Sequence, residues 1–245
     1  MESKDLGSLA TELAESLRAY GIDCDESKAQ LLLRHLELVI EKNKVVNLTR
    51  ITSPEEALRL HVVDSLLPLA CPGISLSADT RFVDLGTGAG YPGIPLAIMT
   101  GSTGLLIDSV GKKVAAVGEF VDQLGLSGVS VLHARVEELP PAHLGVQDYV
   151  FARAVAQANV LVEYAAPLLR AHGCLVLEKG RPTQDEVDAS LRAAKVCGMR
   201  LVSRETFELP DQLGHREILV YEKVSKPKIK LPRRTGQAKK EPLGA

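Results

Sequence analysis

Apolar residues in the first eighty positions recur every three to four places, the period of helices with one buried face. Leu6, Leu9, Leu13 and Leu17 form one such stripe, closed by Gly21. Ser27, with Gln30 three places later, is expected to cap a second helix whose apolar face runs from Leu31 to Ile40. Ser53-Pro54-Glu55-Glu56 supplies a cap, a proline at the first helical position and an acid three residues after the cap, so a third helix is predicted to about Leu67. From Arg81 the pattern changes to short apolar runs of strand length, at 82–83, 104–107, 129–132, 148–151 and 173–177. Helical segments at 94–99, 112–124 and 184–197 fall between them, the alternation of a mostly parallel, doubly wound α/β sheet. Two further strands, 201–208 and 217–223, are split by Pro210-Asp211-Gln212-Leu213-Gly214 and read as an antiparallel hairpin. The pattern divides the chain into a helical extension over 1–78, a sheet domain over 79–224 and a tail over 225–245.

Composition narrows the setting. At 245 residues, 45% of them hydrophobic, the chain suffices for one α/β domain and an appendage. The N-terminus MESKDLGSLA lacks the basic start and apolar core of a signal peptide. No apolar run reaches the roughly 18 residues needed to span a bilayer. Cys24, Cys71, Cys174 and Cys197 are scattered without a C-x-x-C pair, which argues against zinc and against structural disulfides. A cytoplasmic, metal-free protein with reduced thiols and no membrane partner is expected, acting as a monomer. Charge is unevenly spread. Lys226, Lys228, Lys230, Arg233, Arg234, Lys239 and Lys240 against Glu241 put +6 on residues 226–245, and the chain's net −2 leaves −8 on residues 1–225. Such a tail suits a polyanion met through phosphate contacts, or else a solvated end that keeps the protein soluble.

The chemistry concentrates between Arg81 and Met99, where a strand ending at Asp84 runs into Gly86, Gly88, Gly90 and Gly93 and then a helix. A strand, a glycine-rich turn and a helix N-terminus make a nucleotide-type site. Residues 88–93 match G-x-G-x-x-G, a dinucleotide fingerprint that cradles a pyrophosphate. Asp84, two residues before the first glycine, opposes a diphosphate. It suits S-adenosylmethionine (SAM), a phosphate-free nucleoside with a cationic tail; alternatively Asp84 only caps the turn. Asp108 ends the second strand 24 residues later, about the spacing at which such folds place an acid on ribose hydroxyls. After the third strand, Ala134-Arg135-Val136-Glu137-Glu138 offers an apolar contact and an acceptor for an adenine edge, or a solvated helix start. Arg153 ends the fourth strand at the ligand-binding edge, where it can clamp a carboxylate or form a structural ion pair. On the third helix His61, Asp64 and Ser65 share a face. A His-Asp pair suggests a general base, although a packed or capping histidine is the commoner arrangement, and presenting RNA suits this face better than catalysis. A dinucleotide fold ends with a sixth parallel strand, whereas a class I SAM-dependent methyltransferase (Rossmann-like) inserts an antiparallel seventh, and the terminal hairpin fits the latter.

Over nearly its whole length the sequence resembles the bacterial small-subunit (16S) ribosomal RNA guanine-N7 methyltransferase G family, also called glucose-inhibited division protein B. The resemblance runs through Asn47-Leu48-Thr49, His61, Asp64-Ser65-Leu66, residues 84–96 with their Pro-Gly-Ile-Pro ending, and Asp108-Ser109 ahead of Lys112-Lys113. It continues through Arg135-Val136-Glu137-Glu138, Arg153-Ala154, Lys179-Gly180 and the tail from Pro232-Arg233-Arg234 to Leu243. It implies that Gly86, Tyr91, Val136, Glu137 and Arg153 contact SAM, that Asp108 is the ribose acid, and that 16S rRNA or the small subunit is the partner. Lys42 and Val155 stand where the family often has aromatic residues. Guanine N7 has a lone pair and no proton, so its methylation needs no general base. No catalytic side chain is therefore expected beyond alignment of the reactants, and His61 is not required as a base. An NAD-dependent oxidoreductase, a methyltransferase of small molecules and a non-catalytic RNA-binding module are the rival readings.

Overall fold

Helical periodicity in the first eighty residues builds three helices in the computed structural model, which describes residues 6–245; the start of the chain and the Leu6 side chain lie outside the described residues. The first helix, Leu6–Arg18, buries Leu13 and Leu17 and stops where Gly21 takes a φ of +74°. The second, Glu26–Asn43, is capped by Asp25, whose carboxylate accepts the Lys28 N–H at 2.9 Å. Ser27, the expected cap, falls inside the first turn, because the acid two residues earlier reaches the free amide. The third begins as expected, with Ser53 Oγ accepting the Glu56 N–H, and continues through residue 66. Its turns widen to π spacing over Leu58–Val63, the stretch that carries His61. Widened turns of this kind recur at functional sites.

Seven strands then form one sheet: β1 (Arg81–Leu85), β2 (Thr103–Asp108), β3 (Val129–His133), β4 (Gln147–Arg153), β5 (Leu169–Lys179), β6 (Met199–Glu208) and β7 (His215–Lys223). Their order is β3-β2-β1-β4-β5-β7-β6. The pairs from β3 through β5 are parallel, and β7 runs antiparallel to both β5 and β6. This is the seven-stranded class I methyltransferase sheet, not the all-parallel sheet of a dinucleotide fold. β5 starts four residues before the predicted 173, and the helix Ala158–Ala165 had no counterpart in the sequence pattern.

Strand alternation explains why the strands read as unbroken apolar runs: both faces are covered. Phe82, Leu106, Phe151 and Val176 join the N-terminal helices and the helices Gly93–Thr100 and Gly111–Gln123 in one core. Val83, Ile107, Val150 and Leu177 join Ala158–Ala165 and Gln184–Cys197 in a second. The tail packs on this second side. Arg233 grips the buried Glu163 with two hydrogen bonds of 2.7 and 2.6 Å, Asn159 donates to the Leu243 carbonyl at 2.9 Å, and Arg192 donates to the Gly244 carbonyl at 2.8 Å. The order of β1 and β4 reverses the winding of the sheet between them. Ligands of open α/β sheets bind in the crevice that such a reversal opens at the strands' carboxyl ends.

Candidate functional site

The glycine loop sits at that crevice. Gly86, Gly88 and Gly90 take φ of +72°, +61° and +92°, values that favour glycine. A side chain at Gly86 would also meet Val155 Cγ2 at 2.7 Å. Gly93 opens the next helix with its amide donating to Asp84 Oδ2 at 2.9 Å. Asp84 is fully buried and its Oδ1 has no hydrogen-bond partner. Burial pushes its pKa up to about 6, against the lowering pull of the Thr87 hydroxyl, the Gly93 amide and the Arg153 guanidinium. Expected at the mouth of the loop, this carboxylate lies beneath it. Asp84 shares the strand face of Phe82, two residues earlier, and so points to the covering helix. Gly90 is likewise packed inward, where an added Cβ would meet Ile94 at 2.6 Å and His35 at 3.0 Å.

Two clefts open above the loop and share Gly86, Lys113 and Ala154 in their walls. The smaller, about 280 Å³, is lined by Asp108, Val136, Glu137, Val155 and Tyr164 among others. Asp108 ends β2 with Oδ2 accepting the Gly88 N–H at 3.1 Å and Oδ1 accepting the Val110 N–H at 2.9 Å. It braces the glycine loop at the cleft's edge. Glu137 Oε1 accepts the Tyr164 hydroxyl at 3.2 Å and the Gly236 N–H at 2.9 Å, and Thr235 donates to Glu138. The tail thus closes this cleft, with Gly236 and Lys239 in its wall. Arg233, grouped by sequence with the RNA-facing cations, is turned inward onto Glu163. Lys226, Lys228, Lys230, Arg234, Lys239 and Lys240 remain exposed.

The larger cleft, about 560 Å³, lies between the N-terminal helices and the sheet, with Thr49, His61, Asp64, Tyr91, Arg153, Glu178 and Arg216 among its walls. The Tyr91 ring packs against His35 at 4.6 Å between centroids and against His61 at 4.9 Å in a stacked arrangement, with the Arg153 guanidinium 5.5 Å from its centre. Arg153 Nη1 donates to Asp64 at 3.2 Å and to the Leu60 carbonyl at 3.0 Å, and Arg216 Nε reaches the other Asp64 oxygen at 2.8 Å. Of the two roles open to Arg153, the structure displays the ion pair. The His61–Asp64 pair does not form, because Asp64 is taken by the two arginines. His61 bonds the Thr49 hydroxyl through Nε2 at 2.9 Å, and burial lowers its pKa to about 4. Ser65 donates to the His61 carbonyl at 2.6 Å.

Of the cofactor candidates, Gly86, Gly88, Tyr91, Asp108, Val136, Glu137 and Arg153 line the joined clefts, while Asp84 and Gly90 lie behind them. Sequence reasoning missed Glu178 and Arg216 as site residues. Glu178 near the end of β5 had the same positional signal as Arg153. Arg216 enters because β7 is reversed, so its first residues meet the carboxyl ends of the other strands. Among the described residues no group of three or more His, Cys, Asp or Glu is placed to hold a metal ion, and no helix is long and apolar enough to cross a membrane.

Residues 28–215 match the family model described as rRNA small subunit methyltransferase G. The protein named ribosomal RNA small subunit methyltransferase G from Carboxydothermus hydrogenoformans is 37% identical over 91% of this chain and 95% of its own length. That of Alkaliphilus metalliredigens is 35% identical over 99% of this chain and 100% of its own. Among solved structures, a 16S rRNA (adenine(1408)-N(1))-methyltransferase from Catenulisporales acidiphilia shares the fold, with a TM-score of 0.52 and 16% identity over 61% of this chain and 87% of the other.

Proposed function

The chain belongs to the small-subunit ribosomal RNA methyltransferase G family, and from that premise we propose that it methylates N7 of a guanine in 16S rRNA, using SAM. The observation that supports this reading most is the pair of joined clefts, a nucleoside-sized one beside a larger one. The smaller offers apolar Ile107, Val136 and Val155 to a purine and Asp108 to a ribose diol. The larger is open enough for a second base. The residues present therefore fit SAM: Asp108, Val136, Glu137 and Val155 would hold it in the smaller cleft, with Gly86 at the junction with the larger one.

When bound, SAM supplies a sulfonium-activated methyl group for in-line transfer, which leaves a neutral thioether and a cationic purine. The protein's part is to hold and exclude. Gly86 and Gly88 bring bare backbone to the junction of the clefts, and Asp108 ties the loop to β2. Tyr91, clamped by its histidine neighbours, forms a rigid wall. His61 serves as packing for that wall, since N7 presents no proton to remove. Alignment of this kind can supply much of the barrier reduction for a reaction between two bound molecules. The exposed tail cations are placed to meet phosphates, contacts that position RNA without reading its sequence. Splaying the target base into the larger cleft completes the arrangement.

Labelled methyl transfer to small-subunit particles and to naked 16S rRNA, followed by chemical cleavage at 7-methylguanine, tests the reading. One cleaved position is expected. Label on a different atom or base, or on a small molecule alone, would refute it.

A further inference from the structure

We propose that Glu178 accepts the Watson–Crick edge of the target guanine and is the residue that selects this base; the proposal rests on the guanine reading above. Glu178 pairs in register with Arg153 of β4 and with Ile218 of β7, so it stands among the larger cleft's charged groups. It lines that cleft, is 4% exposed, and neither of its carboxylate oxygens has a hydrogen-bond partner. A buried carboxyl with both ends unpaired is costly and calls for donors. The neighbouring guanidinium groups of Arg153 and Arg216 are engaged with Asp64, which leaves Glu178 outside their ion pairs.

Two adjacent donors on a planar edge match what is missing. Guanine presents N1–H and the N2 amino group side by side, and a carboxylate can accept from both. Adenine offers an acceptor at N1, and uracil flanks its single N–H with carbonyl oxygens, so neither satisfies both oxygens. Burial raises the Glu178 pKa well above the usual carboxylate range, with the charges of Asp64 and Asp84 acting in the same direction and those of Arg153 and Arg216 opposing. Two guanidinium groups sharing one Asp64 leave local positive charge, which favours ionised Glu178 once base donors replace its lost solvent.

The contact also strengthens as the reaction proceeds. Methylation at N7 makes the purine cationic, and its N1–H and amino group become better donors. A carboxylate on that edge is bound more tightly in the transition state than in the ground state, which is the condition for lowering the barrier. N7 lies on the other edge of the ring and stays free for the methyl donor.

The test uses small-subunit particles reconstituted with guanine or with inosine, which lacks only the N2 amino group, at the methylated position. For the unaltered enzyme inosine should lower kcat/KM by roughly 10- to 100-fold, the range for a hydrogen bond to a charged group. Glu178→Gln should lose a similar factor on guanine yet show less than about threefold further loss on inosine, the signature of a pairwise contact. Its SAM affinity, read by calorimetry, should stay unchanged. A variant that keeps the normal rate on guanine, or retains the full inosine loss, would overturn the assignment, as would lost SAM affinity. If the unaltered enzyme methylates neither particle, the guanine reading itself fails, a result distinct from any outcome specific to Glu178.

Discussion

His35 and His61 flank Tyr91, and burial holds their pKa values down to about 3 and about 4, below the ordinary 6.5. A group whose folded pKa is depressed binds its proton more readily when unfolded, so its stabilising effect is complete above about 6.5 and lost as pH falls. The melting temperature of the unaltered protein should therefore fall relative to that of His61→Gln as pH goes from 6.5 to 4. Comparison of the two proteins isolates His61 from Asp84 and Glu178, whose raised values act with the opposite sign. Identical slopes would mean that His61 is not the buried neutral group described. At this scale the sequence was legible where backbone geometry dictates the residue: Gly86 and Gly88, and Asp108 at the end of its strand. It was less so for Asp84, whose direction depends on which strand face the covering helix occupies. Glu178 and Arg216 become partners of one cleft only when β4, β5 and β7 are brought side by side.

The elements show the same division. Alternating strands and helices and the terminal hairpin followed directly from apolar periodicity, because each is a local pattern. The helix Ala158–Ala165 was missed since all of it is buried, its two polar residues Asn159 and Glu163 included, so no solvated face marks its period. The tail gave a misleading signal: its composition is that of a solvated polycation, but one arginine pairs with a glutamate 70 residues away. Glu163 is 2% exposed and its charge is compensated by Arg233. Arg233→Ala should destabilise the protein by about 3–5 kcal/mol, as for a buried ion pair stripped of one partner. Urea unfolding measures this. A loss below about 0.5 kcal/mol would place Arg233 in solvent, free for RNA, as its sequence context alone suggested.

In the whole molecule, the helical extension and one face of the sheet share a single core, and the larger cleft lies where they meet. The extension supplies Thr49, His61 and Asp64, the sheet supplies Arg153, Glu178 and Arg216, and the tail closes the smaller cleft from the far side. Three segments with different sequence character thus build one groove, which explains why the fold could be read from the chain more fully than the site. The proposed function requires SAM in the smaller cleft with Asp108 on its ribose. Calorimetric titration of SAM into the protein and into Asp108→Ala tests it most directly. The account predicts binding that weakens by roughly 1.5–3 kcal/mol in the variant, the value of a charged acceptor. Unchanged affinity, or tight binding of NADH in place of SAM, would contradict it.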